Sequence, residues 1–249
     1  MNKNEENYDS RISQGSTVLL TGASNSGKTF KIVSMLSNIP KYFSFVPEHI
    51  FYIHSSGCFQ DRFIPLKDKV TFFSGWNDFP LEWLREKKSY ILITDDSYQR
   101  KAIPEDDLML KLATVIIHFT GSCLIIPIHN FFSCQLQNAR EISLNSSIYF
   151  FLQSPSMLSA VKYFAHSFFA GQSKRFLEIY MALQNCPYQA LMYDARPNCP
   201  EHLRLSSHFV PAGERSLDDI DDLTDDQLKE RLRHAGPIYY VPKTNHNLK

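Results

Sequence analysis

Short apolar runs separated by turn residues recur along the chain from residue 16 to about residue 211. Seven of them, at residues 17–21, 50–54, 70–74, 90–94, 122–128, 147–152 and 190–194, are almost continuously apolar and rich in Ile, Val, Phe and Tyr. Strands covered on both faces, as in a parallel sheet, carry that pattern. Between several of them the apolar positions recur with a helical period, at residues 28–37, 106–119, 156–170 and 174–184. The alternation predicts an α/β fold with a mainly parallel central sheet flanked by helices. Runs such as 114–117 and 123–128 fall far short of the roughly 18 apolar residues that read as a bilayer span, so no membrane association is expected.

The ends read differently. Residues 1–15 are polar and without periodicity, which predicts a flexible N-terminal arm with no secretory signal. Residues 16–211 form the domain, and residues 212–249 form a tail in which acids outnumber bases. Within the tail Thr224 and Gln227 form a capping box that opens a short helix through Leu232, either a solvated terminal helix or a docking peptide.

Charge removes one class of function. Lys plus Arg and Asp plus Glu are both 26, so the net charge is zero and nucleic acid has to be held by a local patch. The 5 cysteines are an odd number and contain no C-x-x-C pair, which argues against a disulfide framework or a zinc cluster. A reducing, intracellular compartment fits that usage.

The most specific signal follows the first strand. Gly22, Ala23, Ser24, Asn25, Ser26, Gly27, Lys28 and Thr29 match G-x-x-x-x-G-K-[ST] between a predicted strand and a predicted helix, with Phe30 next in line. The glycines let backbone N–H groups wrap a phosphate, and the helix that follows aims its own amides at the same anion. Lys28 is the partner for the β- and γ-phosphates, and the Thr29 hydroxyl is a ligand for Mg²⁺. A second acid site is required, and the apolar strand at 90–94 runs into Asp95 and Asp96. Asp95 is expected to hold Mg²⁺ through water and Asp96 to polarise the attacking water; the competing reading of this pair is ordinary helix capping. No N-K-x-D guanine reader occurs, which favours ATP over GTP. The strand at 122–128 ends in His129 and Asn130, where ATP motors keep a polar residue beside the γ-phosphate. These features predict a P-loop NTPase of the RecA-like (ASCE) class.

Taken together, Gly22–Thr29, the run into Asp95 and Asp96, His129-Asn-Phe-Phe132, Arg140-Glu-Ile-Ser-Leu-Asn-Ser146, Phe176-Leu-Glu-Ile-Tyr180, Asp194 and Leu203 through Pro211 resemble a family. The resemblance is to FtsK/HerA-type genome-packaging ATPases of double-stranded DNA viruses, in the poxvirus-like form found in Maverick/Polinton elements and virophages. It implies an ATP-driven double-stranded DNA translocase, a homo-oligomeric ring of five or six subunits, and capsid proteins as partners in a host cytoplasm or nucleus. It further implies that His129 senses the γ-phosphate and that Arg140 is an arginine finger acting in trans. The residues alone leave Arg140 open between that role and a surface arginine beside Glu141. One departure stands out: the family ends its sensor strand in Thr-Gln-Asn, and here an imidazole replaces the amide. Candidate DNA contacts are Arg100, Lys101, Lys162, Lys174 and Arg175, whereas Trp76, Trp83, Phe43, Phe45, Phe51 and Tyr52 read as core. The alternative functions are an ATP-binding scaffold subunit with weak turnover and a helicase or DNA-segregation ATPase.

Overall fold

The computed structural model describes residues 8–54, 61–95, 107–129, 138–152, 154–169, 173–183, 190–200, 203–206 and 239–240. Its elements are, in order, β1 (Ser16–Thr21), α1 (Lys28–Ser37), α2 (Ile39–Tyr42), β2 (His49–His54), β3 (Thr71–Ser74), α3 (Trp83–Glu86) and β4 (Tyr90–Asp95). Then come α4 (Leu108–Lys111), a π turn (Leu112–Ile116), α5 (Ile117–Thr120), β5 (Cys123–Ile128), α6 (Ala139–Leu144) and β6 (Ile148–Leu152). The chain continues with α7 (Leu158–Phe168), α8 (Ser173–Leu183), β7 (Ala190–Asp194), β8 (Leu205–Ser206) and β9 (Tyr239–Tyr240). All described strands join one sheet in the order β3-β2-β4-β5-β1-β6-β7-β8-β9. The strands from β3 to β6 in that order are mutually parallel, and β7, β8 and β9 then add antiparallel. This is the expected α/β architecture with a mainly parallel sheet. Because β5 lies between β1 and β4, the strand that enters the glycine loop and the strand that ends in Asp95 are not neighbours, as in the RecA-like class.

Alternation within the strands divides the core. Val18 and Leu20 of β1, Ile91 and Ile93 of β4, and Cys123 and Ile125 of β5 pack on one face with Ile32, Met35 and Leu36 of α1. Leu19, Leu92, Leu124 and Ile126 pack on the other face, under α4, α5, α6, α7 and α8. The second face is lined by aromatic rings: Phe164 stacks on Phe168 at 4.3 Å and meets Phe151 at 4.7 Å. The aromatic series expected in the core is there, with Trp76, Phe43, Phe51 and Tyr52 buried.

The helix expected over 106–119 starts at Leu108 and loosens into the π turn, where Thr17 of β1 donates its hydroxyl to the Ala113 carbonyl at 3.3 Å. A strand hydroxyl capturing a helix carbonyl is one way a helical ladder gains the extra residue of a π turn. The two-residue strands β8 and β9 are too short to carry a periodic signal, and they were not expected. Residues 224–232 lie outside the described residues; β9 lies within the tail and extends the sheet.

The flexible arm expected over residues 1–15 does not hold from Tyr8 onward. Tyr8 is buried and donates to Asp194 Oδ2 at 2.6 Å, and Ile12 is fully buried and pairs with the chain after α2. The reason is a polar clamp that a hydropathy pattern cannot show. Asp194, at the end of β7 and fully buried, accepts from Arg196 Nε at 2.9 Å and Nη2 at 2.5 Å. The same guanidinium donates to the carbonyls of Ser10 at 3.0 Å and Arg11 at 2.9 Å. Nearby, burial pushes the Cys199 thiol up to about 12, with the Asp194 charge adding to it.

Arg196→Met leaves a buried carboxylate without its cation, which costs about 3–5 kcal/mol. The expected fall in melting temperature is about 10 °C by calorimetry; a fall within error would refute the clamp. A second expectation concerns Lys31 of α1, whose ammonium sits 5.2 Å from the Tyr42 ring centre and 5.5 Å from that of Phe150. Burial, with Lys41 adding to it, pushes Lys31 down to about 8. An unfolded lysine titrates near 10.4, so between these values the unfolded chain binds the extra proton and stability rises with pH. Melts from pH 7 to 10 are expected to show that rise in the wild type, and Lys31→Met is expected to remove it.

Candidate nucleotide site

The loop between β1 and α1 gets its shape from three local features. Gly27 takes φ 102° and Asn25 φ 62°, left-handed values that turn successive main-chain amides inward. Gly22 donates its amide to the Ile128 carbonyl at 3.2 Å, tying the start of the loop to the end of β5. A Cβ on Gly22 would lie 2.3 Å from Ser26 Oγ and 3.1 Å from Leu152 Cβ, so only glycine lets the loop close this tightly. Helix α1 then begins with no side-chain cap and no acid in its first turn, which leaves its amides and positive dipole end facing the loop.

Lys28, at the first position of α1, is buried and curls back over this loop. Its ammonium donates to the carbonyls of Gly22 at 2.6 Å and Ala23 at 2.9 Å, and lies 3.3 Å from His129 Nδ1. An ammonium can only donate, so Nδ1 is the acceptor and the ring proton sits on Nε2. Thr29 follows, half-buried, and Phe30 is exposed on the outside of α1.

The sheet brings the other candidates to the same edge. Asp95 ends β4, His129 follows the last residue of β5, and the loop follows β1, on three consecutive strands of the sheet. Strand alternation puts Asp95 on the face that α1 covers, the face of Ile91 and Ile93. There Tyr52 of β2, buried, donates its phenol to Asp95 Oδ2 at 2.5 Å. The sequence offered Tyr52 only as core; the signal for its second role is the parallel register that sets Tyr52 beside Ile93 and His54 beside Asp95.

Arg140 is not brought to this edge group. It is exposed on α6, whose Ile142 packs into the opposite face of the sheet, and it forms no hydrogen bond or ion pair among the described residues. Asp96, Asn130, Arg100 and Lys101 lie outside the described residues. Of the other candidate DNA contacts, Lys162 and Lys174 are exposed, and Arg175 pairs with Glu178 at 3.2 Å.

The donor set can be tested against an anion and a metal. Ser26 Oγ is buried with no hydrogen-bond partner among the described residues, an orphaned hydroxyl inside the loop that a phosphate oxygen would satisfy. Among the described residues no three His, Cys, Asp or Glu side chains gather into a metal cluster. A Mg²⁺ here would take the Thr29 hydroxyl, Asp95 through water, and phosphate oxygens for the rest of its shell, as that ion commonly does. Loop, ammonium and carboxylate fit a Mg-nucleotide.

The sequence matches no protein-family model and no curated protein. Solved structures give matches. The chain is similar to the DNA-packaging ATPase B204 from Sulfolobus turreted icosahedral virus, with 15% identity over 74% of this chain and 94% of that one, TM-score 0.46. It is similar to the genome packaging NTPase B204 from Sulfolobus turreted icosahedral virus 2 in complex with AMP, with 16% identity over 72% and 92%, TM-score 0.44. A KaiC-like protein from Pyrococcus horikoshii matches at 15% identity over 55% and 73%, TM-score 0.35.

Gly22→Ala is the sharpest probe of the loop. The added methyl overpacks it by about 1–3 kcal/mol, which, if lost from binding, converts to about a 5- to 150-fold loss of ATP affinity. Calorimetric titration of ATP into the purified variant measures this, and wild-type affinity would mean that the loop backbone is not the phosphate seat.

Proposed function

We propose that this chain is a Mg-ATP-dependent hydrolase that drives double-stranded DNA, as the genome-packaging translocases of the FtsK/HerA type do. The observation that carries the ATPase part is the convergence of the loop, Lys28 and His129, with Asp95 one strand further along the same sheet edge. Loop amides and the start of α1 bind the phosphates. Lys28 exchanges its carbonyl contacts for the β- and γ-phosphate oxygens, and His129, already within 3.3 Å of that ammonium, is carried to the γ-phosphate with it. Thr29 and Asp95 would hold a Mg²⁺, which when bound would withdraw charge from the phosphate oxygens. Asp96 is assigned to the attacking water, whose proton it takes as the water oxygen bonds to the γ-phosphorus and the ADP oxygen leaves.

The motor part rests on the resemblance and on where Arg140 lies. An exposed arginine on the helix that covers the far face is suited to reach the γ-phosphate of a neighbouring subunit in a ring. DNA then runs through the ring, held by exposed bases such as Lys162 and Lys174, and a few such contacts per subunit are enough for a chain with no net charge. Capsid proteins are the proposed partners, inside a host cell.

The deciding assay is ATP hydrolysis by the purified chain in Mg²⁺ buffer, with and without linear duplex DNA, across a range of protein concentration. DNA stimulation and a rate that rises faster than concentration are expected, with turnover abolished in Lys28→Ala and reduced about 10³-fold in Arg140→Ala. Mixing Arg140→Ala with Lys28→Ala subunits is expected to restore part of the rate, which only a trans contact does. Nucleotide binding without turnover would replace this reading with that of an ATP-binding scaffold subunit.

A further inference from the structure

Asp95 does not stand alone at its strand end. Tyr52 enters from β2, on the face that α1 covers and beside Ile93 in the parallel register, and its phenol reaches the Oδ2 of Asp95, two residues further along β4. The ring is fixed before it makes that bond. Its centre lies 4.7 Å from that of Phe63, which meets it edge-on, and 5.6 Å from that of Phe72, which is tilted against it, in a packed layer that leaves the tyrosine 1% exposed. A buried phenol normally finds a hydrogen-bond partner, and many acceptors would serve. Here the acceptor is the carboxylate assigned to the metal, which carries no other requirement for a bulky aromatic neighbour.

We propose that Tyr52 is the positioning residue of the metal site: by donating to Oδ2 it locks the Asp95 carboxylate so that Oδ1 faces the Mg²⁺ water. This rests on the Mg-ATP reading of the same site and adds a residue to it. Side chains that hydrogen-bond a metal-holding group orient it, and their loss typically lowers metal affinity about 10- to 100-fold. The bond also separates the work of the two adjacent acids. One oxygen of Asp95 is engaged by a rigid donor, so Asp95 is a fixed metal holder and the proton-taking role falls to Asp96. A free-swinging carboxylate at residue 95 would compete for both roles.

The test uses the full chain and a fluorescent, slowly hydrolysed ATP analogue. Affinity is measured in EDTA and then across a Mg²⁺ titration. Tyr52→Phe removes only the hydroxyl. It is expected to bind the analogue in EDTA as the wild type does, and to need about tenfold more Mg²⁺ to reach half of the metal-dependent gain. A purely structural role would lower the melting temperature and leave that midpoint in place, which would overturn the proposal. So would an equal effect of Tyr52→Phe in an Asp95→Asn background, where the phenol has no carboxylate to orient. Should Tyr52→Phe fail to fold, Asp95→Glu keeps both the charge and the tyrosine packing while moving the carboxylate out of register with the phenol. A raised midpoint in Asp95→Glu supports the proposal, and a wild-type midpoint overturns it. Failure of the underlying reading has its own signature: wild-type protein that does not bind the analogue even at saturating Mg²⁺, or Lys28→Ala that binds it as tightly as the wild type.

Discussion

The parallel pairing of β1 with β5 is the constraint on which the site depends. Six consecutive pairs, from Ser16 with Cys123 to Thr21 with Ile128, fix where both strands stop. The Gly22 amide closes the ladder on the Ile128 carbonyl, and the first residue after β5 is His129, which meets Lys28. A slip of one residue would turn every side chain of β5 to the opposite face and carry His129 away from the loop. Both strands are apolar on both faces and fully covered, so such a slip has a large cost in burial. Hydrophobic burial far from the edge therefore determines the position of two polar groups at the edge.

The two faces of the sheet do different work. The α1 face holds the loop, Lys28, Asp95 and Tyr52, together with a core of aliphatic residues and a few rings. The other face holds α6 with Arg140, and α7 and α8 with Lys162 and Lys174, over a stack of aromatic residues. A change at the phosphate end that alters how β5 and β1 end would be felt on both faces, because each strand contributes alternate residues to each core. The π turn in the helix leading into β5 adds a point of adjustment on the second face, since Thr17 of β1 holds its Ala113 carbonyl directly.

Much of this was legible in the chain. Helix α1 runs over the predicted 28–37, and β7 over the predicted 190–194, because a strong period bounded by glycine or acid leaves little freedom. Strands β1, β2, β4 and β5 were placed to within a residue for the same reason, as continuous apolar runs between turn signals. What escaped was set by polar contacts between distant residues. Tyr8, Ser10 and Arg11 look like an unstructured arm until Asp194 and Arg196, more than 180 positions away, supply their partners. Tyr52 reads as one aromatic among several, because nothing in a strand pattern says which ring carries its hydroxyl to an acid. Arg140 could be chosen only by resemblance, since its surroundings in a single chain give it no task.

Unsatisfied polar atoms mark the same place from a different direction. Among the described residues four buried hydroxyls have no hydrogen-bond partner: Thr21, Ser26, Thr94 and Ser206. Thr21 immediately precedes the glycine loop, Ser26 is inside it, and Thr94 immediately precedes Asp95. Each such group costs about 1–3 kcal/mol relative to a satisfied one, and a sheet this well packed would gain by losing them; valine in place of either threonine keeps the shape. Their concentration at one edge is what a site that binds polar ligands would leave behind, because the cost is recovered when a ligand or a rearranged neighbour supplies the missing bond. For Ser26 the ligand is within the reading given above, as a phosphate oxygen over the loop. Thr21 and Thr94 face the other way, toward the aromatic side, by the alternation that puts Leu20 and Asp95 on the α1 side. The carboxyl edge is therefore under-satisfied on both faces at once, on strands that flank the one ending at His129, and that leaves these strand ends the part of the sheet with most to gain from a change of state.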